Sequence, residues 1–179
     1  MLRCQEIVRN QWKINWPNLV LGTQNQRAIL DVAYEFKIGN SPLSINTALN
    51  TNLQRQSYTT PYGFTFLTLQ PSLQLRYYLL QQYQIRRGTG GNNLSGFYVG
   101  PHTDYRRDYI HSRANPGETY RINTSNYLGV GGTVGFQQRL FNNAFIDIGV
   151  SHSRNVLPNR GGFYAPNQTT LKIGLGLAF

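Results

Sequence analysis

The chain has 179 residues, which is enough for a single domain with a sizeable core. Charged residues make up only 13% of it, well below the usual share of a soluble domain, whereas 13% aromatic residues argue against disorder. The formal net charge of +10 favours an anionic partner, such as nucleic acid or lipid phosphate. The single cysteine, Cys4, excludes an internal disulfide, and no apolar run is long enough for a transmembrane helix.

Apolar and polar residues alternate along most of the chain, which is the two-residue repeat of a β-strand. The clearest case is residues 28–38, where an apolar row containing Val32 and Phe36 backs a polar row containing Asp31 and Glu35. In chain order, the predicted strands are residues 12–22, 28–38, 43–53, 72–79, 96–105, 128–140, 146–151 and 170–179. We therefore predict eight strands of roughly 10 residues each, with no helix and no second domain.

The predicted strands form one domain, residues 12–179, which follows an N-terminal segment, residues 1–11. The start of that segment, MLRCQEIVRN, lacks the apolar region of a secretory signal. We therefore expect either that the chain is not exported or that the sequence begins downstream of its signal.

Glycines on the polar rows indicate which face of the strands is the inner one. A closed barrel of about eight strands has an interior that side chains just fill, so small residues must lie beside large ones. Six glycines of the polar rows would make room for Arg76, Tyr98, Arg139 and Lys172. An outward apolar face around a closed barrel is stable only in lipid. The predicted fold is all-β: an eight-stranded antiparallel up-and-down transmembrane β-barrel.

The aromatic residues near the segment ends suit the interfacial girdles of such a barrel. They are Trp12, Trp16, Tyr77, Tyr105, Tyr127, Phe141 and Phe179. SPLS and FNNA are predicted to be tight turns at one end, and residues 54–65, 106–126 and 154–168 to be long outer loops. Residues 81–95 lie on the short-turn side yet are not short, and Pro71 predicts a bulge or a strand start.

The charged residues of the polar rows predict an ion-pair network inside the barrel. Its members are Asp31, Glu35, Lys37, Arg76, Asp104, Arg139, Asp147 and Lys172. The lumen could be an aqueous pore or be filled by charges that neutralise one another. Because the barrel is small and unpaired buried charges are costly, we predict a filled lumen.

The last residues of the chain carry a resemblance to a known family. Leu171, Ile173, Leu175, Leu177 and Phe179 alternate up to a terminal aromatic. This ending resembles the C-terminal assembly signal of Gram-negative outer-membrane β-barrels. LQLRYYLL, RRGTGGNNLSGFYVG and YLGVGGTVGFQQRLFNNAFIDIGV are similar to small eight-stranded barrels of the Bacteroidota type. The resemblance implies a porin-like architecture in the outer membrane, insertion by the barrel-assembly machinery, and no known reaction.

Catalysis is not predicted. SHSRN, residues 151–155, offers a histidine and serines, but His152 has the opposite parity to Ser151 and Ser153 and so lies on the other face. HSRAN, residues 111–115, has the same adjacency in a predicted loop. The sequence shows no carboxylate pair, metal-ligand cluster or phosphate-binding loop, so we predict no cofactor and no metal.

Six arginines fall in the predicted outer loops: Arg106, Arg107, Arg113, Arg121, Arg154 and Arg160. They could bind phosphates of lipopolysaccharide or simply form a solvated surface, and both alternatives stay open. Nucleic-acid binding would not explain the apolar face and is not predicted. We therefore expect a non-enzymatic outer-membrane barrel with a structural or surface-interaction role. The alternative is a soluble lipocalin-like barrel that binds a hydrophobic ligand.

Overall fold

A computed structural model describes residues 9–15, 18–21, 25–57, 63–87, 94–113, 121–140, 144–157 and 167–178. The strands are β1 (Asn10–Asn15), β2 (Asn18–Leu21), β3 (Asn25–Lys37), β4 (Leu43–Ser57), β5 (Gly63–Tyr78), β6 (Gly96–Arg113), β7 (Arg121–Leu140), β8 (Ala144–Asn155) and β9 (Asn167–Ala178). One short helix, α1 (Gln81–Arg86), lies between β5 and β6.

The strands close into an up-and-down barrel in which every pairing is antiparallel. From β3 to β9, each strand pairs with the next along the chain, and β1 pairs with both β3 and β9. β1 and β2 lie in succession along β3 and together make the first barrel strand, so the nine strand segments form eight barrel strands. The predicted fold class is confirmed, and the pairing of β1 with both β3 and β9 closes the barrel.

The first barrel strand is interrupted because it contains one extra residue. Ile14 pairs with Val32, and Asn18 pairs with Ile29. Four steps along the first barrel strand therefore match three steps along β3. An extra residue disrupts the ladder locally, as in a β-bulge, and this explains why the sequence alternates less regularly here than elsewhere.

Alternate residues face the lumen and the outside, as the two-residue repeat predicts. In β8, Phe145 and Asp147 are buried in the lumen, whereas Ile148 and Val150 are exposed on the outer face. The exposed large apolar residues come from all around the barrel, including Trp12, Leu30, Leu49, Leu73, Phe97, Val134, Ile148 and Ile173. Most of the fully buried side chains are polar or charged. The polar row is therefore the inner one, as predicted.

The strands at the long-loop end extend further than the sequence predicted. β4 continues to Ser57, β6 continues to Arg113 and β7 begins at Arg121, so the predicted loops 54–65 and 106–126 are largely strand. The outer face of these extensions carries polar residues, such as Arg107 and Asn126. Because the apolar row stops there, hydrophobic alternation no longer marks the strand, and the prediction placed the ends too early.

Two further sequence predictions are wrong. Residues 81–95 contain the helix α1, although no helical periodicity was found there. Pro71 lies inside β5 opposite Leu49, and no bulge forms at it. On the β6 side the pairing stops at Leu69 and resumes at Ser72 in the same register, because proline has no N–H to donate to the ladder.

Candidate functional site

Four charged side chains meet in the lumen towards the short-turn end. Arg76 on β5 contacts both Glu35 on β3, at 3.3 Å, and Asp147 on β8, at 3.1 Å. Lys13 on β1 donates a hydrogen bond to the same oxygen of Glu35. Two cations and two carboxylates therefore form one quartet with no net charge. All four residues are at most 2% exposed, so the quartet is sealed from solvent.

Neutral polar groups form further hydrogen bonds with the charged groups of the quartet. Gln137 Oε1 accepts from Lys13 Nζ at 2.6 Å and from Arg76 Nη1 at 2.7 Å, so one amide joins both cations. Tyr78 Oη donates to Glu35 at 2.7 Å. Such partners are needed because buried charges are stable only when their hydrogen bonds are satisfied.

Glycines on the facing strands accommodate the ring of Tyr98, one of the buried tyrosines of the lumen. A Cβ atom added at Gly135 would lie 2.4 Å from the hydroxyl oxygen of Tyr98, and one added at Gly149 would lie 2.7 Å from it. The Tyr98 ring in turn packs under Arg76, whose guanidinium carbon is 4.1 Å from the ring centroid. Tyr98 Oη also donates to Asp147 at 2.8 Å. The small-beside-large packing predicted from the sequence is therefore confirmed at Tyr98.

A second ion pair lies further along the lumen and is less buried. Lys172 on β9 contacts Asp31 on β3 at 3.3 Å, and their side chains are 30% and 15% exposed. Asn15 on β1 donates to the same carboxylate oxygen of Asp31. The side chain of Asn15 also lies where a Cβ atom at Gly174 would be, so this glycine leaves room for the pair.

A polar chain links the quartet to Asp104. Arg76 donates to Gln74 Oε1 at 2.8 and 2.9 Å, and the Gln74 amide nitrogen lies 3.2 Å from His102 Nδ1. The other ring nitrogen, Nε2, lies 3.1 Å from Asp104 Oδ1. Ser153 bonds to the Tyr127 hydroxyl at 2.9 Å and also to the carboxylate of Asp104. In a serine–histidine–carboxylate triad the second ring nitrogen accepts from the serine hydroxyl, but in this group it faces the Gln74 amide, so the hydrogen-bond pattern is not that of a triad.

The two ends of the lumen are lined by separate interactions. Towards the long-loop end, Asp108 accepts from Thr68 at 2.7 Å and from Arg106 at 3.1 Å. At the short-turn end, Lys37 donates to Gln81 of α1 at 2.7 Å, and Leu94 is buried against Tyr78 and Tyr98. The connection between β5 and β6 therefore covers part of that end of the lumen.

Seven of the eight predicted lumen residues are placed in these interactions, in separate groups rather than in one network. Arg139 is half-buried near the end of β7, where its main-chain N–H donates to Ser95. Lys13 was missed, although its position between Trp12 and Ile14 places this lysine on the inner face of β1. Tyr127, predicted to lie in an aromatic girdle, is fully buried inside the barrel.

The predicted outer-loop arginines do not all lie in loops. Arg106 faces the lumen and pairs with Asp108, whereas Arg107 faces outward, 5.0 Å above the ring of Tyr109. Arg154 is exposed near the end of β8. Arg113 and Arg121 end β6 and begin β7, with side chains outside the described set, and Arg160 lies outside the described residues.

The predicted assembly signal lies on β9, the strand that closes the barrel against β1. Leu171, Ile173, Leu175 and Leu177 all face outward and are more than half exposed, at 63%, 66%, 53% and 51%. Phe179 lies outside the described residues.

Within the described ranges, no group of three or more histidine, cysteine or acidic residues could hold a metal ion. Among these same residues, no helix has the length and apolar character needed to cross a membrane.

No family model matches the chain, and no curated protein matches it. Among solved structures, it is similar to Neisserial surface protein A, whose crystal structure aligns with a TM-score of 0.38 and 10% sequence identity. The alignment covers 95% of this chain and 93% of that one.

Proposed function

We propose that the protein is an outer-membrane β-barrel that crosses the bilayer, catalyses no reaction and serves a structural or surface-interaction role. The exposed apolar face around the closed barrel carries this proposal. Val134 is 56% exposed and Ile173 66% exposed, and comparable residues surround the barrel. In water an apolar surface of that extent would drive association, whereas in lipid it is the stable outer face.

The distribution of carboxylates supports the same proposal. The sequence has seven acidic residues, and five of them, Asp31, Glu35, Asp104, Asp108 and Asp147, lie on the inner row of the described strands. The remaining two, Glu6 and Glu118, lie outside the described residues. The described outer face thus has no carboxylate that would have to be desolvated in lipid.

A soluble barrel with a hydrophobic ligand is the second candidate, but its interior should be apolar. The lumen described above is polar, and the apolar side chains are outside. Detergent extraction distinguishes the outer-membrane barrel from the soluble ligand carrier. Expressed with an export signal in a Gram-negative host, the protein should remain in the outer-membrane fraction until detergent is added, and should migrate differently on gels before and after boiling. A detergent-free soluble monomer would favour the ligand carrier.

Insertion is proposed to depend on the barrel-assembly machinery, with the outward row of β9 and Phe179 as the recognised signal. Deleting Phe179 should lower the amount of folded barrel while leaving synthesis unchanged, as judged by gel migration with and without boiling. Thr169→Ala, at the opposite end of the same outward row, is the control. Equal amounts of folded barrel from both variants would show that Phe179 is not part of the signal.

Lipopolysaccharide is the proposed lipid partner at the long-loop end, with Arg107 and Arg154 as the phosphate contacts. Both side chains are exposed on the outer face, and guanidinium groups bind phosphate oxygens in pairs. Arg107→Gln combined with Arg154→Gln should reduce the lipopolysaccharide that copurifies with the protein. Arg27→Gln, an exposed arginine of the inner row, should not. No difference between these variants would indicate a merely solvated surface.

A further inference from the structure

The helix α1 contacts side chains on both the inner and the outer face of the barrel wall at the short-turn end. Gln81, its first residue, points inward, accepting from Lys37 at 2.7 Å and donating to the main-chain oxygen of Ser95 at 3.0 Å. Gln82, the next residue, accepts at 3.0 Å from the hydroxyl of Tyr77, which lies on the outward row of β5. These contacts on both sides of the wall fix the helix at the rim.

The outer side of this rim continues the apolar face of the barrel. Leu79 and Leu80, which connect β5 to α1, are 50% and 61% exposed, and Tyr83 is 55% exposed. Leu79 extends the outward row of β5 by one position beyond Tyr77. An apolar surface that is continuous with a lipid-facing one and ends in a tyrosine is typical of the membrane interface.

Positive charge lies beside this apolar surface. Arg86 and Arg87 are exposed, and the guanidinium carbon of Arg87 lies 4.2 Å from the centroid of the Tyr83 ring. The sequence from residue 79 to residue 95, LLQQYQIRRGTGGNNLS, contains no acidic residue. Aromatic and basic groups together at an apolar boundary match a headgroup layer, which offers partial burial for the ring and phosphates for the cations.

We propose that residues 79–87 anchor the barrel in the headgroup layer of the leaflet at its short-turn end, with Arg86 and Arg87 binding the phosphates of anionic phospholipid. This inference rests on the proposed membrane insertion. It assigns to the connection between β5 and β6 a lipid-binding role in addition to covering the lumen, and it names the lipid class: anionic phospholipid rather than zwitterionic.

Tryptophan fluorescence quenched by brominated lipids tests the proposal. Trp12 and Trp16 are first replaced by phenylalanine, and one reporter is then introduced, either Tyr83→Trp or, as a mid-barrel control, Ile148→Trp. Each protein is folded into phosphatidylcholine vesicles that contain a fixed fraction of brominated phosphatidylcholine or brominated phosphatidylglycerol. The bromine is placed near the ester end of the acyl chain or near its tip. Different gel migration before and after boiling confirms that each barrel is folded.

We expect the reporter at position 83 to be quenched most by bromine near the ester end, and more strongly by phosphatidylglycerol than by phosphatidylcholine. The reporter at position 148 should be quenched best by bromine deeper in the chain, and equally by both lipids. Adding Arg86→Gln and Arg87→Gln should abolish the preference at position 83, which for two basic residues is about 30-fold in local anionic lipid.

The control reporter distinguishes the two ways in which this could fail. If position 148 is quenched and position 83 is not, the anchor is wrong while membrane insertion stands. If neither is quenched, the proposed function itself is wrong. Equal quenching at position 83 by both lipids in the protein that retains its arginines would overturn the anionic-lipid site without any arginine variant.

Discussion

Arg76 connects more of the lumen than any other side chain described here. It contacts Glu35 and Asp147, shares the Gln137 amide oxygen with Lys13, and is covered by the ring of Tyr98. Each of these partners comes from a different strand, and none is adjacent to Arg76 in sequence. The guanidinium group suits this position because its donors are fixed in one plane and can satisfy several acceptors at once.

Removing Arg76 should be more harmful than removing an entire ion pair. In Arg76→Ala, Glu35 keeps Lys13, but Asp147 is left buried without its guanidinium partner. We expect unfolding free energy in detergent to fall by about 3–5 kcal/mol, as when one member of a buried pair is lost. Arg76→Ala combined with Asp147→Ala leaves Glu35 and Lys13 as a neutral pair and should cost less than the single change.

Arg107→Ala is the surface control for this experiment and should stay within about 0.5 kcal/mol of the original protein. Urea titrations followed by tryptophan fluorescence would measure all three variants. A double variant that is less stable than Arg76→Ala would contradict the charge-pair explanation and would indicate that packing around the side chains dominates.

Gly135 should tolerate no side chain, because Tyr98 occupies the space. A Cβ atom there would lie 2.4 Å from the hydroxyl oxygen of Tyr98 and 2.5 Å from its ring carbon Cζ. We expect Gly135→Ala to destabilise the barrel by about 1–3 kcal/mol through overpacking. On the outward row of the same strand, a Cβ atom added at Gly132 would lie 3.7 Å from the main-chain oxygen of Gly100, which is an ordinary van der Waals contact. Gly132→Ala should therefore have little effect in the same urea titration.

Parity alone predicted which residues face the lumen, but not which of them meet. The positions of Glu35, Arg76 and Asp147 on the inner row follow from alternation within their own strands. Their contacts depend on the register between strands, which hydrogen bonding and closure set and which single-strand patterns do not contain. Lys13 also alternates regularly within β1, but it was missed because the extra residue between β1 and β2 makes the predicted strand 12–22 irregular as a whole.

At the scale of the strand, the cost of a charge on the outward row should depend on how far along the row it lies. Ile148 is 44% exposed on the outward row of β8, whereas His152, on the same row, lies where that row becomes polar. We expect Ile148→Arg to cost about 2–4 kcal/mol in lipid and His152→Arg about 0–1 kcal/mol, because the penalty falls towards the interface.

Refolding into phosphatidylcholine vesicles over a urea series would give these two values. Val134→Arg, on the neighbouring strand and also outward, should behave like Ile148→Arg, while Thr133→Arg should act instead by disturbing the lumen. Equal stability of the Ile148 and His152 variants would mean that the outward row of β8 does not cross the hydrocarbon layer.

Strands were predicted well where an apolar outer row alternated with a polar inner row, and poorly elsewhere. β3 was predicted as residues 28–38 and is Asn25–Lys37. β6 was predicted to end, and β7 to begin, about where their outer rows become polar, yet the two strands pair for several further residues, because hydrogen bonding between strands does not require an apolar face. The helix α1 is only six residues long, too short to show a helical repeat in the sequence.

At the scale of the whole molecule, charge is sorted by sign. The described carboxylates lie on the inner row, whereas exposed arginines lie near both ends of the barrel, including Arg55 and Arg154 at the long-loop end and Arg86 and Arg87 at the other. The inner carboxylates offset most of the inner cations, so most of the net positive charge of the described residues lies outside the lumen. A net positive exterior with an apolar middle suits a barrel held between two layers of phosphate.

The same neutralisation predicts that the lumen does not conduct steadily. A selective pore needs a continuous aqueous path, but Lys13, Glu35, Arg76 and Asp147 fill the lumen with side chains that are at most 2% exposed, and Tyr78 and Leu94 pack beside them. Moving an ion past the quartet would require breaking buried charge pairs, whose separation in a low-dielectric interior costs several kcal/mol per ion by order of magnitude.

In planar bilayers, we therefore expect the intact protein to show no large, steady current. Replacing all four members of the quartet by alanine removes equal numbers of positive and negative charges and opens space, so this variant should conduct measurably more if it retains the different gel migration before and after boiling. Arg107→Ala, which leaves the lumen unchanged, should behave like the intact protein. A large, ion-selective current from the intact barrel would show that the quartet opens in the membrane. The lumen would then be an aqueous pore and not a filled one.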